Sequence, residues 1–237
     1  MSERFFTPEP LSPGEFQLTG AEAHHLAAVC RYRPGDRIVL FNGDNSEYPA
    51  DVVAVGKRSV TLRILSREWA DRELKYPLIV GCALPKGDRA DFLIEKLTEL
   101  GVTQFVPLIT ARSIVQPKST VVEKFARMVV EASKQCGRNR LMVIAAPQRW
   151  ESFIRNPDLP AQRFVLHPRT DATTLPPAAQ AVAVAIGPEG GLTEEEVTSA
   201  VAAQWQVAHL GPRILRIETA AVAAAAVLGQ PPLHGTK

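Results

Sequence analysis

Two Gly-Pro segments in the last third of the chain hold residue types suited to cradling a ligand: Ile186-Gly187-Pro188-Glu189-Gly190-Gly191-Leu192 and Leu210-Gly211-Pro212-Arg213-Ile214-Leu215-Arg216. A third loop, Leu166-His167-Pro168-Arg169, precedes them. Glycines lack a Cβ and let backbone N–H and C=O groups approach a ligand closely, and Pro188 and Pro212 set the path of each segment. Such loops suit a flat, polar small molecule, although tight turns need the same residues. The first segment follows the apolar run Val182-Ala183-Val184-Ala185, and open α/β sheets bind ligands beyond the carboxyl ends of their strands. Phosphate chemistry has less support, because neither the G-x-G-x-x-G of a dinucleotide site nor the G-x-x-x-x-G-K-[ST] of a P-loop occurs. Metal chemistry is not expected either: His24 and His25 are adjacent on a helix and diverge, and there is no H-E-x-x-H motif or Cys/His cluster. Cys30, Cys82 and Cys136, odd in number and roughly fifty residues apart, read as buried free thiols rather than a disulfide framework or C-x-x-C pair.

Loops of this kind need strands to hold them and helices to follow them. From Leu78 onward the pattern alternates: strand Leu78 to Ala83, helix Asp88 to Leu100 closed by Gly101, strand Gln104 to Leu108, helix Ser119 to Cys136 closed by Gly137. Strands near Phe164 to Leu166 and Val182 to Ile186 follow, then a helix opened by the capping box Thr193-Glu194-Glu195-Glu196. A short strand Val207 to Leu210 and an Ala-rich helix that begins around Glu218-Thr219 and ends at Gly229 complete the series. This α/β rhythm implies a parallel sheet covered on both faces. The first seventy or so residues are different in kind, with short β runs Arg37 to Phe41, Glu47 to Val55 and Ser59 to Leu65. One helix interrupts them, Ala21 to Arg31, with Thr19 and Glu22 as a capping box and Pro34-Gly35 as its stop. The charged stretch Ser66 to Lys75 reads as a connector, which divides the chain into domains at 1–70 and 76–237.

At 237 residues with 46% hydrophobic and 22% charged side chains, the chain has enough material for one large or two modest cores. Its longest apolar runs fall far short of the roughly 18 residues that cross a bilayer. The start, Met1-Ser2-Glu3-Arg4, lacks a signal peptide's basic and apolar regions, so cytoplasm is the expected location. The totals of 27 basic and 25 acidic residues give no sign of a general polyanion binder. Between Ala111 and Arg140, however, Arg112, Lys118, Lys124, Arg127, Lys134, Arg138 and Arg140 face only Glu123 and Glu131, a local charge of +5. That segment is either a nucleic-acid footprint or a solvated helix face.

The two Gly-Pro segments, extended by Thr193-Glu194-Glu195-Glu196 and by Ile217-Glu218-Thr219-Ala220-Ala221, resemble the ribosomal RNA small subunit methyltransferase E family, of the SPOUT class. Further likenesses occur in the same order along nearly the whole chain: Arg4-Phe5-Phe6, His24-His25-Leu26, Arg33-Pro34-Gly35-Asp36, Leu84-Pro85-Lys86-Gly87-Asp88-Arg89, Thr98-Glu99-Leu100-Gly101-Val102 and Gln135-Cys136-Gly137-Arg138. The sequence departs from the family pattern at Ala28, where a basic or amide side chain is usual, and at Cys30, in place of a Leu.

The resemblance implies an N-terminal PUA-like β-barrel for RNA and a C-terminal SPOUT α/β domain with a trefoil knot, a topology that breaks a general rule of chain threading. It implies transfer of a methyl group from S-adenosylmethionine to N3 of a uridine in 16S ribosomal RNA, by a homodimer. The cofactor would be held by Leu166, His167, Ile186, Gly187, Pro188, Glu189, Gly190, Gly191, Leu210, Gly211, Pro212, Arg213, Ile214 and Leu215. Because the sulfonium is already activated, the protein's task is alignment and exclusion of water. The N3 proton must also leave, so a cation that stabilises charge on the uracil or a carboxylate that takes the proton is required. Arg213 and Arg216 are candidates for the first role, Glu189 and Glu218 for the second. Arg216 and Glu218 also suit capping the last helix or pairing at a dimer interface, and Glu189 suits bracing its own loop by accepting backbone N–H bonds. RNA phosphates would meet Arg4, Arg31, Arg33, Arg37, Arg112, Arg138 and Arg140.

Overall fold

The structure is a computed structural model that describes residues 3–168 and 172–230; Arg169, singled out in the first loop, lies outside them. It divides into two compact units, Met1–Glu73 with Val130–Leu141, and Leu74–Val129 with Met142–Lys237.

The first unit is built from β1 (Arg4–Phe6), β2 (Gly14–Thr19), helix α1 (Gly20–His24) continued by a π-helical turn (His25–Val29), β3 (Arg37–Phe41), β4 (Ser46–Val55), β5 (Ser59–Ile64) and β6 (Glu68–Trp69). Hydrogen bonding runs in the order β1-β3-β4-β5-β2, with β6 added beside β4. The connector expected at Ser66 to Lys75 thus contains a short strand. Alternation along β4 turns Tyr48, Ala50 and Val52 inward, where they meet Phe5, Leu18, Leu26, Ile38, Leu40 and Leu62 in one core.

The helix after β2 differs from expectation. The box does not close: Thr19 makes no side-chain cap, and the Glu22 carboxylate is engaged elsewhere, accepting from the Phe6 N–H at 3.1 Å and pairing with Lys134 at 2.9 Å. The α-helical part lasts five residues. Beyond it the Cys30 N–H donates to the His25 carbonyl at 2.9 Å, an i to i+5 bond, and Arg31 at φ 59° ends the run. All three cysteines are free; Cys82 is buried as expected, but Cys30 and Cys136 are only half-buried.

The second unit contains β7 (Leu78–Ala83), α2 (Asp88–Glu99), β8 (Gln104–Ile109), α3 (Thr120–Cys136, whose last residues belong to the first unit), β9 (Val143–Ile144), β10 (Gln148–Arg149), α4 (Trp150–Ile154), β11 (Gln162–Leu166), β12 (Thr173–Thr174), β13 (Val182–Ile186), α5 (Glu194–Ala202), β14 (Gln206–His209) and α6 (Ile217–Leu228). Every pairing is parallel, in the order β10-β8-β7-β13-β11-β14-β12, with β9 beside β8. Ala183 and Ala185 of β13 join Phe153, Trp150, Val197 and Trp205 in one core cluster. Strand alternation turns Val182 and Val184 to the opposite face, where α6 packs against β7 and β13. Gly81 in β7 is required by close packing, since a Cβ there would lie 2.5 Å from the Phe153 ring. The capping box of α5 forms as expected, with Thr193 and Glu196 exchanging both bonds.

The strand order brings the candidate loops together. Leu166 pairs with both Ile186 and Ala208, so β11, β13 and β14 end side by side. Cys82 pairs with Ile186, so β7 ends beside them as well.

Candidate functional site

The loops that follow β11, β13 and β14 enclose a cleft of about 140 Å³, or about 730 Å³ with its open mouth included. Of the residues expected to hold a cofactor, Leu166, His167, Ile186, Gly187, Pro188, Glu189, Gly191, Leu210, Gly211, Arg213, Ile214 and Leu215 line it; Gly190 and Pro212 do not. The lining also includes Pro168, Leu192, His209, Ile217 and Ala220, which sequence reading did not select. Leu192 and Ile217 stand inside the quoted motifs but were given no role, their only local signal being apolar character.

Backbone conformation explains the glycines. Gly191 and Gly211 adopt φ of 70° and 100°, where an L side chain is strained. The Gly191 N–H closes a turn on the Pro188 carbonyl at 2.9 Å, and the Gly211 N–H donates to His209 Nδ1 at 3.0 Å. At Gly187 the constraint is space, because a Cβ would lie 2.8 Å from Leu192 Cγ. The β13 loop is also tied down from the segment after β8. Arg112 donates to the Gly190 carbonyl at 2.9 Å, and the Ala111 N–H donates to the buried Glu196 carboxylate at 2.7 Å.

The four charged candidates separate into two groups. Glu189 and Arg213 line the cleft, whereas Arg216 and Glu218 are absent from its lining. Arg216 is the exposed N-cap residue of α6, without a side-chain capping bond, and Glu218 lies buried in the first turn of that helix. Between the two carboxylates stands Arg89, from the first turn of α2. Its Nη2 donates to Glu189 Oε1 at 3.2 Å, and its Nη1 lies 3.7 Å from Glu218 Oε2. Arg89 was quoted in a motif but given no role, because nothing local in the sequence links it to residues a hundred positions away. Cys82, at the end of β7, lies within their field: burial first, then the charges of Glu218 and Glu189, push its thiol up.

The expected RNA contacts are divided by burial. Arg31, Arg33 and Arg37 of the first unit are exposed, as are Arg140 and, in the second unit, Arg112. Arg4 and Arg138 are corrections: they are 9% and 3% exposed and hold the first unit together. Arg4 binds Glu47, the Arg138 carbonyl and Asn139, while Arg138 grips both oxygens of Glu73 at 3.1 and 2.6 Å. Groups so enclosed have no face left for a phosphate. Burial pulls the Arg4 guanidinium below its ordinary value, against the opposing pull of Glu47. The first unit also has a groove of about 600 Å³ lined by His24, Ala27, Ala28, Lys57, Arg58 and Ser59 among others. Its cations come from the β4–β5 turn, which sequence reading passed over.

One grouping of metal-ligating side chains occurs among the described residues: Glu3, His25 and Cys30, with ligand atoms within 4.8 Å of one another. The π-helical turn produces it by stacking residues five apart. Burial first, then a hydrogen bond to Glu3, push the Cys30 thiol up to about 12, which opposes the thiolate that a metal would need.

Comparison with known proteins follows the same two-part division. A family described as RNA methyltransferase domain matches residues 72–229, and one described as RNA methyltransferase PUA domain matches residues 18–65. The ribosomal RNA small subunit methyltransferase E of Synechocystis is 34% identical over 229 residues, 92% of this chain and 74% of that protein. The protein of the same name from Bacillus subtilis is 29% identical over 86% of both chains. Among solved structures, the ribosomal RNA small subunit methyltransferase E of Neisseria gonorrhoeae, bound to S-adenosyl methionine, superposes with a TM-score of 0.87 at 31% identity, over 95% of this chain and 96% of that one. A Legionella pneumophila methyltransferase in complex with the same cofactor gives a TM-score of 0.87 at 32% identity over 96% of both chains.

Proposed function

The chain belongs to the ribosomal RNA small subunit methyltransferase E family, and on that premise we propose that it methylates N3 of a uridine in 16S ribosomal RNA, uridine 1498, with S-adenosylmethionine as donor. The observation that carries this reading is the convergence of three strand-end loops on one cleft with apolar walls and glycine-exposed backbone. Ile186, Leu210, Ile214, Leu215 and Ile217 suit an adenine face, and backbone groups freed by Gly187, Gly191 and Gly211 suit its polar edge and the ribose. When bound, the cofactor supplies an electrophilic methyl carbon on sulfur. The protein holds the uracil in line with that carbon and keeps water away. Glu189, on the cleft wall, takes the N3 proton, and Arg213, also on the wall, stabilises the negative charge left on the uracil. The N3 electron pair forms the new N–C bond, and the electrons of the broken C–S bond return to sulfur.

Residues 1–70 act as the PUA-like RNA-binding domain and 76–237 as the knotted SPOUT domain, which works in the cytoplasm as a homodimer. Phosphates meet Arg31, Arg33, Arg37 and Arg140 on the first unit and Arg112 on the second, and Lys57 and Arg58 around the groove offset the loss of a polar side chain at Ala28. The test is transfer of labelled methyl from S-adenosylmethionine to small ribosomal subunits that lack the modification, with nuclease digestion and mass spectrometry of the product. 3-Methyluridine is expected; label in another nucleoside would overturn the substrate assignment.

A further inference from the structure

Glu189, in the loop after β13, and Glu218, in the first turn of α6, lie 29 residues apart, yet one side chain from a third element meets both. Gly87, at φ 64°, turns the chain from β7 into α2, and the pairing of β7 with β13 sets the first turn of α2 beside the loop that carries Glu189. Arg89 there spreads its two terminal nitrogens, one to each carboxylate. Glu218 is the dependent partner. Its side chain is 9% exposed, its Oε2 is buried without a hydrogen bond, and the Arg89 guanidinium is the cation beside it. A buried carboxylate that loses its paired cation is strongly destabilised.

We propose that Arg89 is a positioning residue for methyl transfer: its guanidinium couples Glu189 on the cleft wall to Glu218 at the head of α6, and thereby fixes the β13 loop against the β14–α6 loop. The inference rests on the methyl-transfer reading of the cleft. Both loops line the one cleft, so their separation sets whether the adenine slot and the wall carboxylate are in place together. A planar fork with two donors can hold two carboxylates at once, whereas an ammonium of the same charge on a shorter reach holds one. Arg112 restrains the same β13 loop, but through the Gly190 carbonyl and without touching α6.

The experiment is a double-mutant cycle on the full-length protein with Arg89→Met and Glu218→Gln. S-adenosylmethionine affinity is read by calorimetry, methyl transfer to unmodified small subunits by kcat and KM, and folding by melting temperature. Arg89→Met is expected to weaken cofactor binding about tenfold and to lower kcat with little change in KM for the subunit. Adding Glu218→Gln is expected to recover part of the cofactor affinity, because the unpaired buried charge is then gone. Arg89→Lys, which keeps the charge and loses the fork, is expected to fall between wild type and Arg89→Met. Additive effects in the cycle, or a folded Arg89→Met with wild-type affinity and kcat, would overturn the proposal. If Arg89→Met does not fold, Arg89→Lys decides alone, and wild-type behaviour from it refutes the coupling. Wild-type protein that binds the cofactor but methylates no subunit defeats the methyl-transfer reading while the binding cycle still judges Arg89; failure to bind the cofactor defeats both.

Discussion

Gly187→Ala isolates shape from every other property of the cleft. The residue does not occupy the left-handed region, so alanine is compatible with its backbone, and the cost comes from contact alone. The added carbon would lie 2.8 Å from Leu192 Cγ, 3.1 Å from Cδ2 and 3.2 Å from the Leu192 nitrogen, against the roughly 3.5 to 4.0 Å of relaxed contact. Leu192 is 4% exposed and packed into the core that includes Ala185 and Val197, so its easiest displacement is toward the cleft that it lines. Overpacking of this kind costs about 1–3 kcal/mol. In the free protein, Leu192 relieves the strain by moving into the cleft, and a ligand must push it back. If binding bears that whole cost, the dissociation constant for S-adenosylmethionine rises about 5- to 140-fold at 1.4 kcal/mol per factor of ten. Calorimetric titration measures it, with thermal unfolding to show that the variant is folded. An affinity within twofold of wild type would show that Leu192 yields away from the cleft, and the assignment of Gly187 to the ligand wall would lose its steric basis.

Two further predictions concern the cores. Gly81→Ala puts a carbon 2.5 Å from the buried Phe153 ring, and is expected to lower stability by about 1–3 kcal/mol or more, read as a fall in the denaturant midpoint. An unchanged midpoint would mean that Phe153 has another place to go. In the first unit, burial alone would raise the Glu47 carboxyl, but Arg72 and Arg4 together hold it below its ordinary 4.5. A lowered folded value contributes stability that is full above the unfolded value and fades as pH falls through the folded one. Wild type should therefore exceed Glu47→Gln in stability at neutral pH, with the gap closing below about pH 4.5; a gap independent of pH would deny the ion pairs their role.

Local chemistry made the second unit readable from sequence. Val182–Ile186, an uninterrupted apolar run, is a central strand, Thr193 and Glu196 form the capping box their spacing announced, and Gly101 and Gly137 end their helices at positive φ. The two Gly-Pro segments were legible as loops that could line a cleft, as most of their residues do, because glycine conformation and strand-end position are both properties of short stretches. The Thr19–Glu22 box had an equally good local signal and did not form, and Phe6 and Lys134 engage its carboxylate instead. Arg4 and Arg138 had the composition of phosphate ligands, yet burial among Glu47, Asn139 and Glu73 gave them another task. The meeting of Arg89 with Glu189, a hundred residues on, depends on strand order and register, which no window of sequence contains. Periodicity, turns and caps are written in neighbouring residues; which charges find each other is decided when the sheet closes and removes water from around them.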